Sequence, residues 1–307
     1  MPGTTDLEYF ARLVEALDPW LDQVVIIGGW AHRLYRLHPL AQPLDYEPLA
    51  TFDTDIAVPL NLPATGEQLR ARLLEKDFRE ELMGDTQPPA AHYRVAAGDS
   101  SFYVEFLTAL EGSEVKRGGR RDVTARISGV SVQKLRHLEL MLENPWDVMI
   151  ALATGYPTPG VRRILVPNPA AFLVQKILTR NKRNQAKRAK DVLYIHDTIE
   201  TFGESLAAIR KQWEINVRPA LHANAARRAE RAAEEYFRIV DDTTREATRI
   251  ATGRNLTPEM VLELCRYGWR QIFSRKEHNK RQPGQMKRLR QGRMREDSDA
   301  RNGTWNM

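Results

Sequence analysis

Val24-Val-Ile-Ile27 is a four-residue β-branched run that stops at Gly28-Gly29. A short apolar run bounded by glycine reads as a buried strand, and a buried strand needs neighbours on either side. Ala31, Leu34 and Tyr35 then supply an apolar face at helical spacing, so the glycine pair lies where a strand turns into a helix. Pro39, Pro43 and Pro48 make the next dozen or so residues a loop. Phe52 to Val58 alternates up to Pro59 and predicts the next strand.

The neighbours continue downstream. His92 to Ala96 and Phe102 to Leu110 read as strands joined by a Gly98-Asp99 turn, and Val123 to Leu142 is again β-rich. Leu7, Phe10, Leu13, Val14 and Leu17 predict an opening amphipathic helix ended by Pro19, and Glu67 to Phe78 a charged one. The pattern predicts an α+β fold, with a small mixed β-sheet domain over residues 1–145 and a boundary near Pro145-Trp146. Residues 146–273 form a mainly helical domain after one short strand, Ile164 to Val166. Its helices are expected at about 169–182, 187–202, 204–238 and 258–273. Residues 274–307 are few in apolar positions and read as a basic flexible tail.

With 307 residues, two domains and an appendage are the natural expectation. No apolar run approaches the roughly 18 residues of a membrane span, and the start lacks a secretory signal pattern, so no membrane is expected and the protein reads as cytoplasmic. The single cysteine, Cys265, fits a reducing compartment and reads as a small buried side chain. The net charge of +6 is unevenly spread: Arg266 to Arg295 carries eleven Lys or Arg and one acid, leaving the remainder of the chain acidic.

Candidate chemistry begins with Asp53 and Asp55. Two residues apart on a strand, both carboxylates point to one face about 6.5 Å apart, while Thr54, Ile56 and Val58 face the core. Such a pair can converge on one or two Mg²⁺ ions, about 3.5–4 Å apart in two-metal sites, or simply solvate a strand end. Glu105 lies in Phe102-Tyr-Val-Glu-Phe-Leu107, so apolar a strand that an ionised glutamate inside it needs a cation, unless it sits at a solvated edge. If the two strands are neighbours, three carboxylates meet. Gly28-Gly29 can present backbone N–H groups to a triphosphate with no Cβ in the way, or can be a plain turn.

In this order of Gly28-Gly29, Asp53-x-Asp55 and Glu105, the sequence resembles the nucleotidyltransferase superfamily typified by DNA polymerase beta. The segment from Val166 through Lys176, with Arg180 and Lys190-Asp191, is most similar to abortive-infection nucleotidyltransferases, the toxins of type IV toxin–antitoxin pairs. The resemblance implies that Asp53, Asp55 and Glu105 are catalytic and hold two Mg²⁺ (or Mn²⁺) ions. It implies that Gly28, Gly29, Lys176, Arg180 and Asp191 bind an NTP such as ATP, and that an antitoxin protein is a possible partner. It covers roughly residues 20–200. The spacing from Gly29 to Asp53 is longer than usual for the family, and the turn lacks the family's frequent serine hydroxyl.

Lys176 to Lys190 holds seven Lys or Arg and no acid, which suits a triphosphate or RNA backbone, or a solvated surface. Beyond it, Tyr267, Trp269 and Phe273 interleave with the basic run and suggest stacking on nucleic acid bases, with a solvated arm or an acidic partner as alternatives. His32, His92 and His137, isolated among apolar neighbours, read as packing residues. The expected reaction is transfer of a nucleoside monophosphate from an NTP to an acceptor hydroxyl, with an RNA 3′ end, tRNA in particular, as favoured acceptor. A protein side chain, a small antibiotic-like acceptor, or a catalytically silent binding protein are the competing readings.

Overall fold

Helix α1 (Thr4–Leu17) turns Phe10, Leu13, Val14 and Leu17 into the core, and Pro19 follows it in a short 3-10 turn. The computed structural model describes residues 4–63, 68–95, 102–116, 118–119 and 121–274. The Gly98-Asp99 turn and the tail beyond residue 274 therefore lie outside the described residues.

The strands are β1 (Val25–Ile27), β2 (Asp53–Ala57), β3 (Phe78–Met83), β4 (Ala90–Val95), β5 (Tyr103–Ala109), β6 (Thr124–Ile127) and β7 (Val130–Leu135). They form one mixed sheet in the order β1-β2-β5-β4-β3, with β7 beside the far end of β5 and β6 paired to β7. β2 and β5 run parallel, while β1 and β4 are antiparallel to their neighbours. Since side chains alternate across a strand, the sheet has two faces. Ile56, Val104, Phe106 and Tyr93 join Phe10 and Trp30 in the main core, where those two rings stack at 4.1 Å. Ala57, Leu107, Val25 and Ile27 face the other way and pack on Leu138, Met141 and Leu165. This second face also carries the acids.

Helix α2 (Gly28–Leu34) starts directly on the glycines, as expected. The charged helix is shorter than the sequence predicted: α3 spans Leu69–Glu75, Asp77 adopts a positive φ of 61°, and Phe78 opens strand β3. Three charges in Arg79-Glu-Glu81 hid the alternation of that edge strand, on which only Phe78 is buried.

After helix α4 (Glu139–Leu142) comes a hairpin, β8 (Trp146–Ile150) with β9 (Arg162–Val166). β8 went unrecognised, because Trp146, Asp147 and Met149 are not buried and leave a weak apolar signal. Helices α5 (Pro169–Thr179) and α6 (Gln185–Thr201) follow, each capped by an asparagine side chain, Asn168 and Asn184. The single helix expected at 204–238 is broken. α7 (Leu206–Gln212) passes through a π turn into α8 (Arg218–Ala220), Leu221 is extended, and α9 (Ala223–Tyr236) starts anew. Pro219 lacks the N–H that a continuous helix requires. α10 (Asp242–Ile250) has few apolar residues and escaped detection, although Asp241 and Thr244 cap it reciprocally. α11 (Pro258–Phe273) matches its expected span. Strand-rich and helical halves share one hydrophobic cluster.

Two docked elements shape the site. Within the Pro-rich segment, Gln42 N–H donates to the Thr201 carbonyl at 2.8 Å and the Tyr46 hydroxyl to Glu200 Oε2 at 2.7 Å, seating that segment on α6. Arg254 lies over the Tyr46 ring at 3.6 Å and donates two hydrogen bonds to the buried Asp197, at 2.9 and 2.7 Å. Burial alone would raise the Asp197 carboxyl, but hydrogen bonds from His196 and Arg254 outweigh it and hold the group well below the usual carboxylate range.

Candidate active site

β2 lies between β1 and β5, and its register sets the site. Asp55 is the lateral partner of Glu105 on one side and of Ile27 on the other, and Asp53 is the partner of Tyr103. Neighbouring strands are about 4.8 Å apart, so three carboxylates gather on one face of adjacent strands. The Asp55 carboxyl is pushed up to about 7 by desolvation, with the negative charges of Asp53 and Glu105 adding to it. Glu105 is raised by burial and by Asp53. Tyr103, beside them, is pushed up to about 12 by burial and by the same three acids. Each of these carboxylates therefore makes its neighbours costlier to ionise.

The glycines fit this cluster closely. Gly28 has φ +66°, and a Cβ there would run into the Asp55 carboxylate. A Cβ on Gly29 would lie 2.6 Å from Thr51 Oγ1. Ile27, at the start of α2, supplies no side-chain cap, so the turn's first N–H groups have no partner from it.

Opposite the acids stands a cationic wall from the helical half. Lys176 Nζ is 3.0 Å from Asp191 Oδ1, both side chains nearly buried, and lies 4.9 and 5.0 Å from the Phe172 and Tyr194 ring centres. Arg183 Nε is 2.9 Å from the other Asp191 oxygen. Asp191 thus holds a lysine and an arginine whose charges reach Asp55, and Lys187 acts on Glu105. Arg180, one turn beyond Lys176, is directed elsewhere: its guanidinium lies 4.9 Å over Tyr236 and 3.9 Å from Asp241.

Two expectations need correction. His92 is not an isolated packing residue: it is the cross-strand partner of Glu105, its Nε2 contacts Glu105 Oε1, and its ring stacks on Tyr103 at 4.6 Å. Burial and Arg94 lower its pKa, and Nε2 is the ring nitrogen that meets the carboxylate. Trp269 and Phe273 are not free to stack on bases, since both are buried on α11 and Trp269 Nε1 donates to the Ala229 carbonyl at 2.7 Å. His32 does behave as expected, buried and lowered to about 4 by desolvation. Thr51 and Tyr194 also lie beside this site, outside any motif of the sequence. Thr51, two residues before Asp53, shares its strand parity, and that was the available signal.

The donor set suits a hard divalent cation: three carboxylates on one face, with Lys176 and Arg183 already engaged by Asp191. A second group, His196, Asp197 and Glu200, also brings potential ligand atoms within 4.8 Å of one another. There, however, Arg254 already supplies the positive charge to Asp197. A strand-to-helix glycine turn, acids on parallel strands and nearby cations are the kind of parts that phosphoryl transfer uses. A nucleotidyltransferase family model matches residues 6–216, and the chain belongs to that family, a transferase of nucleotidyl groups acting on an NTP. No curated protein and no solved structure matches it. Among the described residues no helix is long and apolar enough to cross a membrane.

Proposed function

We propose that the chain transfers a nucleoside monophosphate from an NTP to the 3′ hydroxyl of an RNA, tRNA being the favoured acceptor, in a Mg²⁺-dependent reaction. The observation that carries this reading is the lateral pairing of Asp55 with Glu105, next to Asp53 and facing Lys176 and Arg183. Bound by Asp53, Asp55 and Glu105, Mg²⁺ would neutralise the triphosphate and the charge that develops on the transferring group. Gly28 and Gly29 present backbone N–H groups to the phosphates, and Lys176, held by Asp191, adds positive charge beside them.

In the reaction the acceptor oxygen forms a bond to the α-phosphorus, the bond from that phosphorus to the β-phosphate oxygen breaks, and pyrophosphate leaves. The hydroxyl proton passes to Glu105, which His92 holds in place, and from there to water. Positioning and charge supply most of the acceleration. Lys187 is exposed and Lys190 partly so, and along them a polyanion such as RNA could be tracked by charge, whereas Arg180 is turned toward Tyr236 and Asp241. Resemblance to abortive-infection enzymes extends the proposal to a toxin or phage-defence role in the cytoplasm, restrained by an antitoxin protein.

The test is to incubate the protein with Mg²⁺, each labelled NTP in turn and total cellular RNA, beside Asp55→Ala. Label on RNA that disappears in the variant supports the reading. Label on protein or on a small hydroxylated acceptor would redirect it to another substrate, and label nowhere would point to a silent binding protein.

A further inference from the structure

Thr51 closes the Pro-rich segment two residues before Asp53, and it is only 5% exposed. Its hydroxyl donates to Asp53 Oδ1. Its side chain rests on Gly29, where an added Cβ would lie 2.6 Å from Oγ1 and 2.7 Å from both Cβ and Cγ2. The Tyr194 hydroxyl lies beside Thr51. Tyr194 itself is 4% exposed on α6, its ring 5.0 Å from Lys176 Nζ and 5.6 Å from Lys190 Nζ. A buried path thus runs from the helical half to the acid cluster: Tyr194 beside Thr51, and Thr51 O–H to Asp53.

We propose that Thr51 is a positioning residue that, backed by Tyr194, fixes the Asp53 carboxylate for sharing a divalent cation with Asp55 and Glu105. The inference rests on the metal-dependent reading given above. An aspartate χ2 torsion is broad and nearly two-fold, so nothing within Asp53 itself selects one orientation. Repulsion from Asp55 and Glu105 favours turning it away. One short hydrogen bond to Oδ1 opposes that rotation and reserves the second oxygen for the cation. Gly29 acquires a definite purpose: it is the seat of Thr51, as Gly28 is the seat of Asp55. Partners that orient a metal-binding carboxylate typically change metal affinity or activity by about 10–100-fold when removed.

The experiment uses the full chain and the variants Thr51→Val, Thr51→Ser, Tyr194→Phe and Asp55→Ala. Mn²⁺ binding is read from the paramagnetic resonance signal of the free ion, and nucleotidyl transfer is followed across a Mg²⁺ series. Thr51→Val should weaken Mn²⁺ binding about tenfold or more and raise the Mg²⁺ requirement in step, with the KM for NTP at saturating metal changed by less than about twofold. Thr51→Ser, which keeps the hydroxyl, should bind as the unmodified chain does, and Tyr194→Phe should weaken binding by about threefold. Unchanged Mn²⁺ binding in Thr51→Val, or equal loss in Thr51→Ser, overturns the proposal. If Thr51→Val does not fold, the serine and phenylalanine variants decide it: wild-type binding in Tyr194→Phe then overturns it. Failure of the underlying reading looks different, since Mn²⁺ would then bind the unmodified chain and Asp55→Ala alike, or neither.

Discussion

Asp55 and Glu105, fifty positions apart in the chain, are lateral partners on two adjacent parallel strands, β2 and β5. Like charges placed side by side are costly by themselves and favourable once a cation lies between them. That relationship links the stability of this protein to its chemistry.

Replacing either partner with its amide keeps the shape and removes a charge that would hold the cation. Asp55→Asn or Glu105→Gln should lower kcat/KM for nucleotidyl transfer by at least about a hundredfold, as expected for several kcal/mol of lost transition-state stabilisation. Steady-state kinetics at saturating Mg²⁺, with circular dichroism to confirm folding, checks it.

The Asp55 carboxyl, pushed up from 3.8 to about 7, gives the metal-free protein a pH dependence of known sign. An acid with a raised folded-state pKa stabilises the fold at low pH, and that contribution is lost between about 4 and 7 as pH rises. In EDTA, Tm should therefore decline over this window, less so in Asp55→Asn, whose Tm at pH 8 should exceed that of the unmodified chain. Mg²⁺ should restore most of the loss at pH 8 and little of it at pH 5, because binding competes with protons. Calorimetry across pH gives the answer; a flat unmodified profile would contradict the assignment.

Gly28→Ala puts a side chain at φ +66° and drives its Cβ into the Asp55 carboxylate. Left-handed backbone at a residue with a Cβ costs roughly 1–2 kcal/mol, and a displacement of about 1 Å at the site can cost on the order of a hundredfold in rate. The expected result is a modest fall in Tm with a large fall in kcat, measured on the same preparation.

The Arg254–Asp197 pair has almost no exposure on either side. Arg254→Met strands a buried carboxylate and should cost about 3–5 kcal/mol, or roughly 10 °C in Tm, whereas the double variant with Asp197→Leu should recover much of it. Thermal unfolding of the three proteins forms the cycle. Loss of Arg254 should also release Tyr46 and with it the Pro-rich segment, detectable as faster proteolysis near residues 38–50.

The sequence by itself determined the local pieces: a β-branched run ending in glycine, an alternating strand with two acids on one parity, a glutamate in an otherwise apolar strand, and helices spaced by apolar residues. Strong periodicity made α1, β2, β5 and α11 legible, and the acids stood out because apolar neighbours made their cost plain. Elements with weak apolar signals, such as β3, β8 and α10, were not legible, because their stability comes from neighbours the local sequence does not contain. Only the tertiary structure decided the register that pairs Asp55 with Glu105, puts His92 on that glutamate and seats Thr51 over Gly29. It also decided that Trp269 and Phe273 belong to the core. The physical reason is range: propensity and periodicity act over a few residues, whereas hydrogen-bond register and burial bring together groups separated by up to more than a hundred positions.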